Sequence, residues 1–128
     1  IRILAVVDTL EYLKRGGRIS KAVALAGGIL SIKPILKVKD GEISMAGKAL
    51  GTKKAYKLLN KILKEKSNID YFLPHGFLWN GLDHKNLNKY LNESKDILTD
   101  YDLFFELGCT IGTHTGPGVV GIAYFKKE

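Results

Sequence analysis

The pattern of hydrophobic and polar residues along the chain predicts six β-strands and four α-helices. Strands are predicted for segments that are continuously apolar or alternate with a period of two: residues 1–7, 32–39, 42–49, 69–75, 101–111 and 119–125. Helices are predicted where apolar residues recur every three or four positions behind a capping residue: residues 9–14, 21–26, 53–66 and 84–98. The helix over 53–66 has the clearest apolar stripe: Ala55, Leu58, Leu59, Ile62 and Leu63.

The turns between these segments indicate how the strands pair. Asp40-Gly41 between two strands is a strong signal for a two-residue hairpin, and Gly47 in the returning strand marks a bulge. This hairpin and a second one, which the glycine-rich segment would close between the last two predicted strands, imply antiparallel pairing. The helices must then cover the sheet. We therefore expect an α+β fold, with a mainly antiparallel or mixed sheet of about six strands and packed helices. Residues 1–128 are long enough for a single domain with its own core.

Composition and charge narrow the classes of function. The chain carries a net charge of +7, but its lysines are spread along the polar faces of the predicted helices and few exposed aromatic residues accompany them. This pattern is typical of a solvated surface, so we expect no nucleic-acid partner, although a basic interaction module stays an alternative. No apolar run is long enough to span a membrane, and the single Cys109 fits a reducing, cytoplasmic compartment.

Two segments carry candidate chemistry for binding an anion. Residues 108–118 hold four glycines, Pro117 and the run Thr113-His114-Thr115, which as a loop between strands could hold a carboxylate. Gly16-Gly17 forms a predicted turn that places Arg18 before the amino terminus of the next helix, where anions are attracted. The alternatives are a Gly-rich turn with a structural His114, and a surface arginine beside a helix-ending glycine.

The same residues leave an enzyme as a second hypothesis, with His114 as the general base at a small anionic substrate. No phosphate-binding loop, nucleophile elbow or pair of catalytic carboxylates accompanies it. The three histidines lie far apart without metal-ligand spacing, so we expect no metal and no cofactor.

Three segments together resemble the DegV family of bacterial lipid-binding proteins: residues 8–20, 32–36 and 111–118. The resemblance implies a two-domain protein that holds one long-chain fatty acid between its domains, of which this chain is the carboxyl-terminal lipid-binding domain. It further implies a carrier, not an enzyme, whose partners are the amino-terminal domain and a separate kinase subunit. That kinase would convert the presented carboxylate to an acyl phosphate for phospholipid synthesis. The chain begins within a predicted strand, which fits part of a longer protein.

The resemblance also implies roles for particular residues. Head-group binding is expected from five of them: Arg18, Thr113, His114, Thr115 and Gly116. The acyl chain and the interdomain face are expected at Ile29, Leu30 and Ile32, near the break at Gly27-Gly28. One departure is visible, because Leu50-Gly51-Thr52 stands where family members often carry arginines.

Overall fold

A computed structural model of the chain describes residues 1–18, 31–97, 99 and 102–128. Within these residues the strands are β1 (Arg2–Val6), β2 (Ile32–Lys39), β3 (Glu42–Leu50), β4 (Gly76–Trp79), β5 (Leu103–Glu106) and β6 (Val120–Tyr124). The helices are α1 (Glu11–Arg15), α2 (Thr52–Lys66), α3 (Lys85–Glu93) and α4 (Cys109–Thr115). The helix predicted over 21–26 lies outside the described residues.

All six strands form one sheet in the order β3-β2-β1-β6-β4-β5. Every neighbouring pair is antiparallel except β4 and β5, which run parallel. The predicted α+β class and the mixed, mainly antiparallel sheet are therefore confirmed. The order also places β1 and β6 at the centre, where both can be buried on their two faces.

The hairpin between β2 and β3 follows the local sequence signals. Asp40 and Gly41 have φ values of 52° and 81°, the left-handed conformation that a two-residue hairpin turn of this kind needs at both positions. The register then shifts by one residue, because Ile35 pairs with Gly47 while Leu36 pairs with Met45. The predicted bulge therefore lies at Gly47 and its neighbour.

The two longer helices cover one face of the sheet. The predicted stripe of α2 packs on that face, with Ala55, Leu59 and Leu63 buried. Leu87 and Tyr90 of α3 complete the cluster, in which Tyr56, Tyr90 and Phe77 are the largest fully buried side chains. This apolar layer forms the larger part of the core.

The opposite face of the sheet has a smaller apolar cluster. It is formed by residues of β1, β2 and α1 and by residues that flank β1, α1 and β6: Ala5, Val7, Leu10, Leu13, Leu36 and Val119. The two short helices α1 and α4 contact each other on this face. Because they cover only part of it, the described residues leave apolar side chains of the sheet lining a groove.

The strand predicted over 69–75 is wrong. Ile69 makes only an isolated bridge to Lys126, and the chain then turns, with the Leu73 N–H donating to the Asp70 carbonyl at 3.2 Å. The strand β4 begins at Gly76, where the prediction ended the strand. Tyr71, Phe72 and Leu73 are exposed, so the apolar run that suggested a buried strand is a surface turn.

The predicted long strand over 101–111 and the glycine-rich loop after it are also wrong. Strand β5 spans only Leu103–Glu106, and Cys109–Thr115 forms the helix α4. The helix ends at Gly116, whose φ of 76° with ψ of 174° is a backbone conformation that favours glycine. Its one glycine and three threonines are poor helix formers, so contacts elsewhere in the fold decide its conformation.

Helix α2 begins one residue earlier than predicted. Thr52 is its first residue, Gly51 occupies the N-cap position, and no side chain caps the helix.

Candidate functional site

The groove on the second face of the sheet is a strongly apolar concave surface. It has a volume of about 310 Å³ and lies between α1, α4 and the β2–β3 hairpin. Its apolar lining includes side chains from four strands and from the segment after β5: Ile3, Leu36, Val38, Ile43, Leu78 and Leu107. Because these positions alternate with residues buried under α2 and α3, the period of two in the strands creates both surfaces at once.

Polar groups meet the groove where α1 and α4 approach each other. Arg18, His114 and Thr115 line it, together with Thr110. Three of the five residues predicted to bind a head group are therefore brought together, although 96 positions of the sequence separate Arg18 from His114. An apolar groove with a small number of convergent polar groups is typical of a ligand site.

The other two predicted head-group residues do not line the groove. The Thr113 hydroxyl is exposed and donates to the Cys109 carbonyl at 2.8 Å, one turn back in α4. Gly116 is buried beneath Tyr12, and a Cβ added there would lie 2.3 Å from Cδ2 of that ring. In the structure Gly116 therefore ends α4 and lets the Tyr12 ring pack against the backbone there. Its predicted contact with a head group stays a prediction.

His114 is half-buried between the two short helices. Its ring lies against Gly16, where an added Cβ would come within 2.2 Å of Nδ1 and 3.0 Å of Cε1. Nδ1 is buried and has no hydrogen-bond partner among the described residues. This arrangement leaves Nε2 as the ring nitrogen that can meet a ligand in the groove.

Arg18 supplies the positive charge at the groove. The two glycines that stop α1 turn the chain, and the exposed Arg18 guanidinium then donates back to the Gly16 carbonyl at 2.8 Å. Arg15 instead pairs with Glu11 on the outside of α1 at 3.1 Å and does not line the groove. One cation of this turn therefore lies at the groove, where it can attract a carboxylate.

Sequence reasoning missed Asn80, which holds the chain after α4 in place. Its Nδ2 donates to the Gly116 carbonyl at 2.9 Å, and its Oδ1 accepts from the Val119 N–H at 2.8 Å. Asn80 follows β4 directly, and an asparagine at that place is equally typical of an ordinary turn. Only the pairing of β4 with β6 brings its amide to the turn that follows α4.

Of the three residues predicted to form the acyl-chain and interdomain face, the structure describes only Ile32. Ile32 is half-buried at the start of β2, pairs with Leu50 and does not line the groove. Ile29 and Leu30 lie outside the described residues. The role predicted for these three residues therefore stays a prediction.

The other two histidines lie apart from the groove. The ring of His75 pairs with Asp102 through an Nε2–Oδ1 contact of 3.0 Å, and that of His84 lies 4.3 Å from the ring of Trp79. Across residues 1–18, 31–97, 99 and 102–128, no group of three His, Cys, Asp or Glu side chains could hold a metal ion.

None of the described helices is both long and apolar enough to cross a bilayer.

Comparison with known proteins identifies relatives across the whole length of the chain. A family model described as "Uncharacterised protein, DegV family" matches residues 1–127. A DegV domain-containing protein of Caldanaerobacter subterraneus is 37% identical over 132 residues, which covers 99% of this chain and 45% of that protein. The chain therefore spans less than half the length of this relative.

Solved structures share the fold. A fatty-acid-binding DegV family protein from Streptococcus agalactiae superposes with a TM-score of 0.77 at 30% identity, covering 99% of this chain and 45% of that one. A DegV family protein from Thermus thermophilus, described by its fatty-acid binding, superposes with a TM-score of 0.75 at 36% identity, covering 94% and 43% respectively.

Proposed function

This chain belongs to the DegV family, and on that premise we propose that it binds a long-chain fatty acid. The observation that carries the proposal is the apolar groove with Arg18, His114 and Thr115 at the junction of α1 and α4. An acyl chain would lie along the aliphatic side chains of the sheet, and its carboxylate would meet the three polar residues. Thr113 and Gly116 remain predicted head-group residues of the intact site.

The chemistry of the groove suits this ligand. Removing one methylene group from water contributes about 0.8 kcal/mol, so the aliphatic lining favours a long hydrocarbon tail. The Arg18 guanidinium and the His114 imidazole can donate charge-assisted hydrogen bonds to the carboxylate. The Thr115 hydroxyl donates to the Ile111 carbonyl at 3.1 Å without a ligand, and it would turn from that carbonyl to add a third. These two kinds of contact explain why an anionic group and an apolar tail would be bound together.

The groove is too open to complete the site alone. Its volume of about 310 Å³ lies at the low end of ligand sites, which occupy about 300–1,000 Å³ and enclose most of the ligand. We infer that the chain is the carboxyl-terminal domain of a longer two-domain protein. The second domain would close over the groove, and Ile29, Leu30 and Ile32 would contribute to the interdomain face beside it.

The proposed role is that of a cytoplasmic carrier and not of a catalyst. Enclosing the tail and leaving the carboxylate at the mouth of the site would present that group to a separate kinase subunit. The kinase would form the acyl phosphate that enters phospholipid synthesis. Beyond the fatty acid, the proposal requires no cofactor or metal in this domain.

The first experiment is to identify the ligand. We expect an organic extract of the full-length protein, purified from bacterial cells, to contain a long-chain fatty acid when analysed by mass spectrometry. Titration of delipidated protein with stearic acid should show saturable binding. An extract without fatty acid, together with no binding of added stearic acid, would refute the proposal.

The second experiment tests the head-group contact. His114→Ala should lower the affinity for stearic acid about ten- to a hundred-fold, because a hydrogen bond to a charged group contributes about 1.5–3 kcal/mol. Its melting temperature should stay near that of the wild type, whereas the control His75→Ala should lose stability. Turnover of an ester or phosphate that His114→Ala abolishes would instead favour an enzyme with His114 as general base.

A further inference from the structure

We propose that Gly16 is a positioning residue for His114, and that its missing side chain is what places the imidazole at the groove. The inference rests on the proposed fatty-acid site and assigns that site a determinant outside the groove itself. It concerns the contact between α1 and α4, which brings together residues that are far apart in the sequence.

The backbone at position 16 does not require glycine. Gly16 has φ −78° and ψ −2°, a right-handed conformation that alanine adopts readily, whereas the next residue, Gly17, has φ 68°. The constraint at position 16 is instead the neighbouring ring, since a Cβ would lie 2.2 Å from Nδ1 of His114. Side-chain atoms cannot approach so closely, so alanine would displace the imidazole or separate the two helices.

The close contact also sets which nitrogen carries the proton of the neutral ring. Nδ1 is buried against Gly16 and has no hydrogen-bond partner in the described part of the chain. A proton on Nδ1 would point at the hydrogen atom that Gly16 carries in the Cβ direction, whereas an unprotonated Nδ1 meets that hydrogen with a lone pair. We therefore assign the proton to Nε2, so that a donor is available to a carboxylate in the groove.

A second close contact opposes any adjustment of the helices. Beyond the end of α4, Gly116 lies under the ring of Tyr12 from α1, with a Cβ-to-Cδ2 separation of only 2.3 Å if a Cβ were present. On the side that faces the sheet, Asn80 Nδ2 donates to the Gly116 carbonyl at 2.9 Å. Tyr12 of α1 thus packs on Gly116 after α4, and His114 of α4 packs on Gly16 after α1. These two reciprocal contacts fix the distance between the helices and with it the position of His114 at the groove.

The test is Gly16→Ala in the full-length protein, with Gly108→Ala as the matched control. Gly108 has φ −66°, and a Cβ added there meets no atom within 4 Å, so alanine is allowed at both positions and clashes only at Gly16. Gly16→Ala should weaken stearic acid binding about ten- to a hundred-fold, as His114→Ala does. In the double variant Gly16→Ala/His114→Ala, no further loss should occur, whereas Gly108→Ala should bind like the wild type.

Two binding results would overturn the inference. One is a Gly16→Ala protein with wild-type affinity for stearic acid. The other is a double variant in which Gly16→Ala lowers the affinity of the His114→Ala protein by as much as it lowers that of the wild type. If Gly16→Ala lowers the melting temperature strongly, the double variant decides: recovery with His114→Ala supports the steric contact, and no recovery refutes it.

A ligand-free measurement separates this inference from the proposed function. With ¹⁵N-labelled histidine, the wild-type His114 resonances should show the proton on Nε2, and Gly16→Ala should shift them while Gly108→Ala leaves them unchanged. That result supports the inference even in a protein that binds no fatty acid. Resonances of His114 that Gly16→Ala does not alter would overturn it, whatever the protein binds.

Discussion

Replacing Asn80 by alanine should destabilise the protein more than any change of an exposed polar residue. The side chain makes two well-aligned hydrogen bonds, to the Gly116 carbonyl at 2.9 Å and from the Val119 N–H at 2.8 Å. Val119 is 1% exposed, so its N–H has no ready access to water once the amide is removed. The substitution therefore strands the Val119 N–H in the interior and leaves the Gly116 carbonyl with only the longer bond from the Thr115 hydroxyl, at 3.3 Å.

The expected loss follows from these two groups. A buried polar group without a partner costs about 1–3 kcal/mol, so the pair gives about 2–4 kcal/mol when some water enters beside Gly116. Asn80→Asp keeps an oxygen for the Val119 N–H but replaces the amide donor that faces the Gly116 carbonyl. We expect it to lose stability as well, because two oxygens would then face each other.

The measurement is equilibrium unfolding in urea, followed by the fluorescence of Trp79. This residue is the only tryptophan of the chain and precedes Asn80 directly, so it reports on this part of the sheet. Asn88→Ala is the matched control, because Asn88 is exposed on α3 and its substitution should change stability by less than about 0.5 kcal/mol. A loss for Asn80→Ala below about 1 kcal/mol, at an unchanged urea slope, would refute the reasoning.

Two further predictions concern residues outside the groove. His75→Ala should lower the stability by about 1.5–3 kcal/mol, because His75 and Asp102 are paired with only 4% of each side chain exposed; an unchanged urea midpoint would contradict this. Burial, with the charge of Asp8 adding to it, raises the pKa of Tyr56 to about 12, so the folded state keeps a proton that an unfolded tyrosine loses near pH 10. The stabilisation that this retained proton gives the folded state is complete below about pH 10 and should be lost as the pH rises toward 12. Tyr56→Phe should make the resulting decline in the urea midpoint shallower. An equally steep decline in Tyr56→Phe would contradict the assignment.

The sequence predicted the elements whose signals are local. The apolar stripe of α2 and the Asp40-Gly41 turn each depend on residues within a few positions of one another, and both are present in the structure. The same kind of reasoning was wrong at 69–75, where an apolar run forms an exposed turn. It was wrong again at α4, where one glycine and three threonines with low helix propensity form part of a helix held by its neighbours.

The candidate site shows a similar division. Arg18, His114 and Thr115 could be named from the sequence, because an arginine beside a Gly-Gly turn and a histidine between threonines carry recognisable chemistry. Asn80 could not be named in this way, since its two partners lie 36 and 39 residues away and its local context is typical of any turn.

The sequence by itself thus determined the apolar stripe of α2, the alternation along the central strands, the tight hairpin and the types of group available for binding an anion. These depend on backbone preferences and on side chains a few residues apart, which act before the chain is packed. Only the tertiary structure decided that Gly16 touches His114, that Gly116 lies under Tyr12 and that these contacts border an apolar groove. Such contacts arise when the sheet pairs β1 with β6 and brings the two short helices together on one face. The shape of the site is therefore a property of packing between distant segments, and no local pattern in the sequence encodes it.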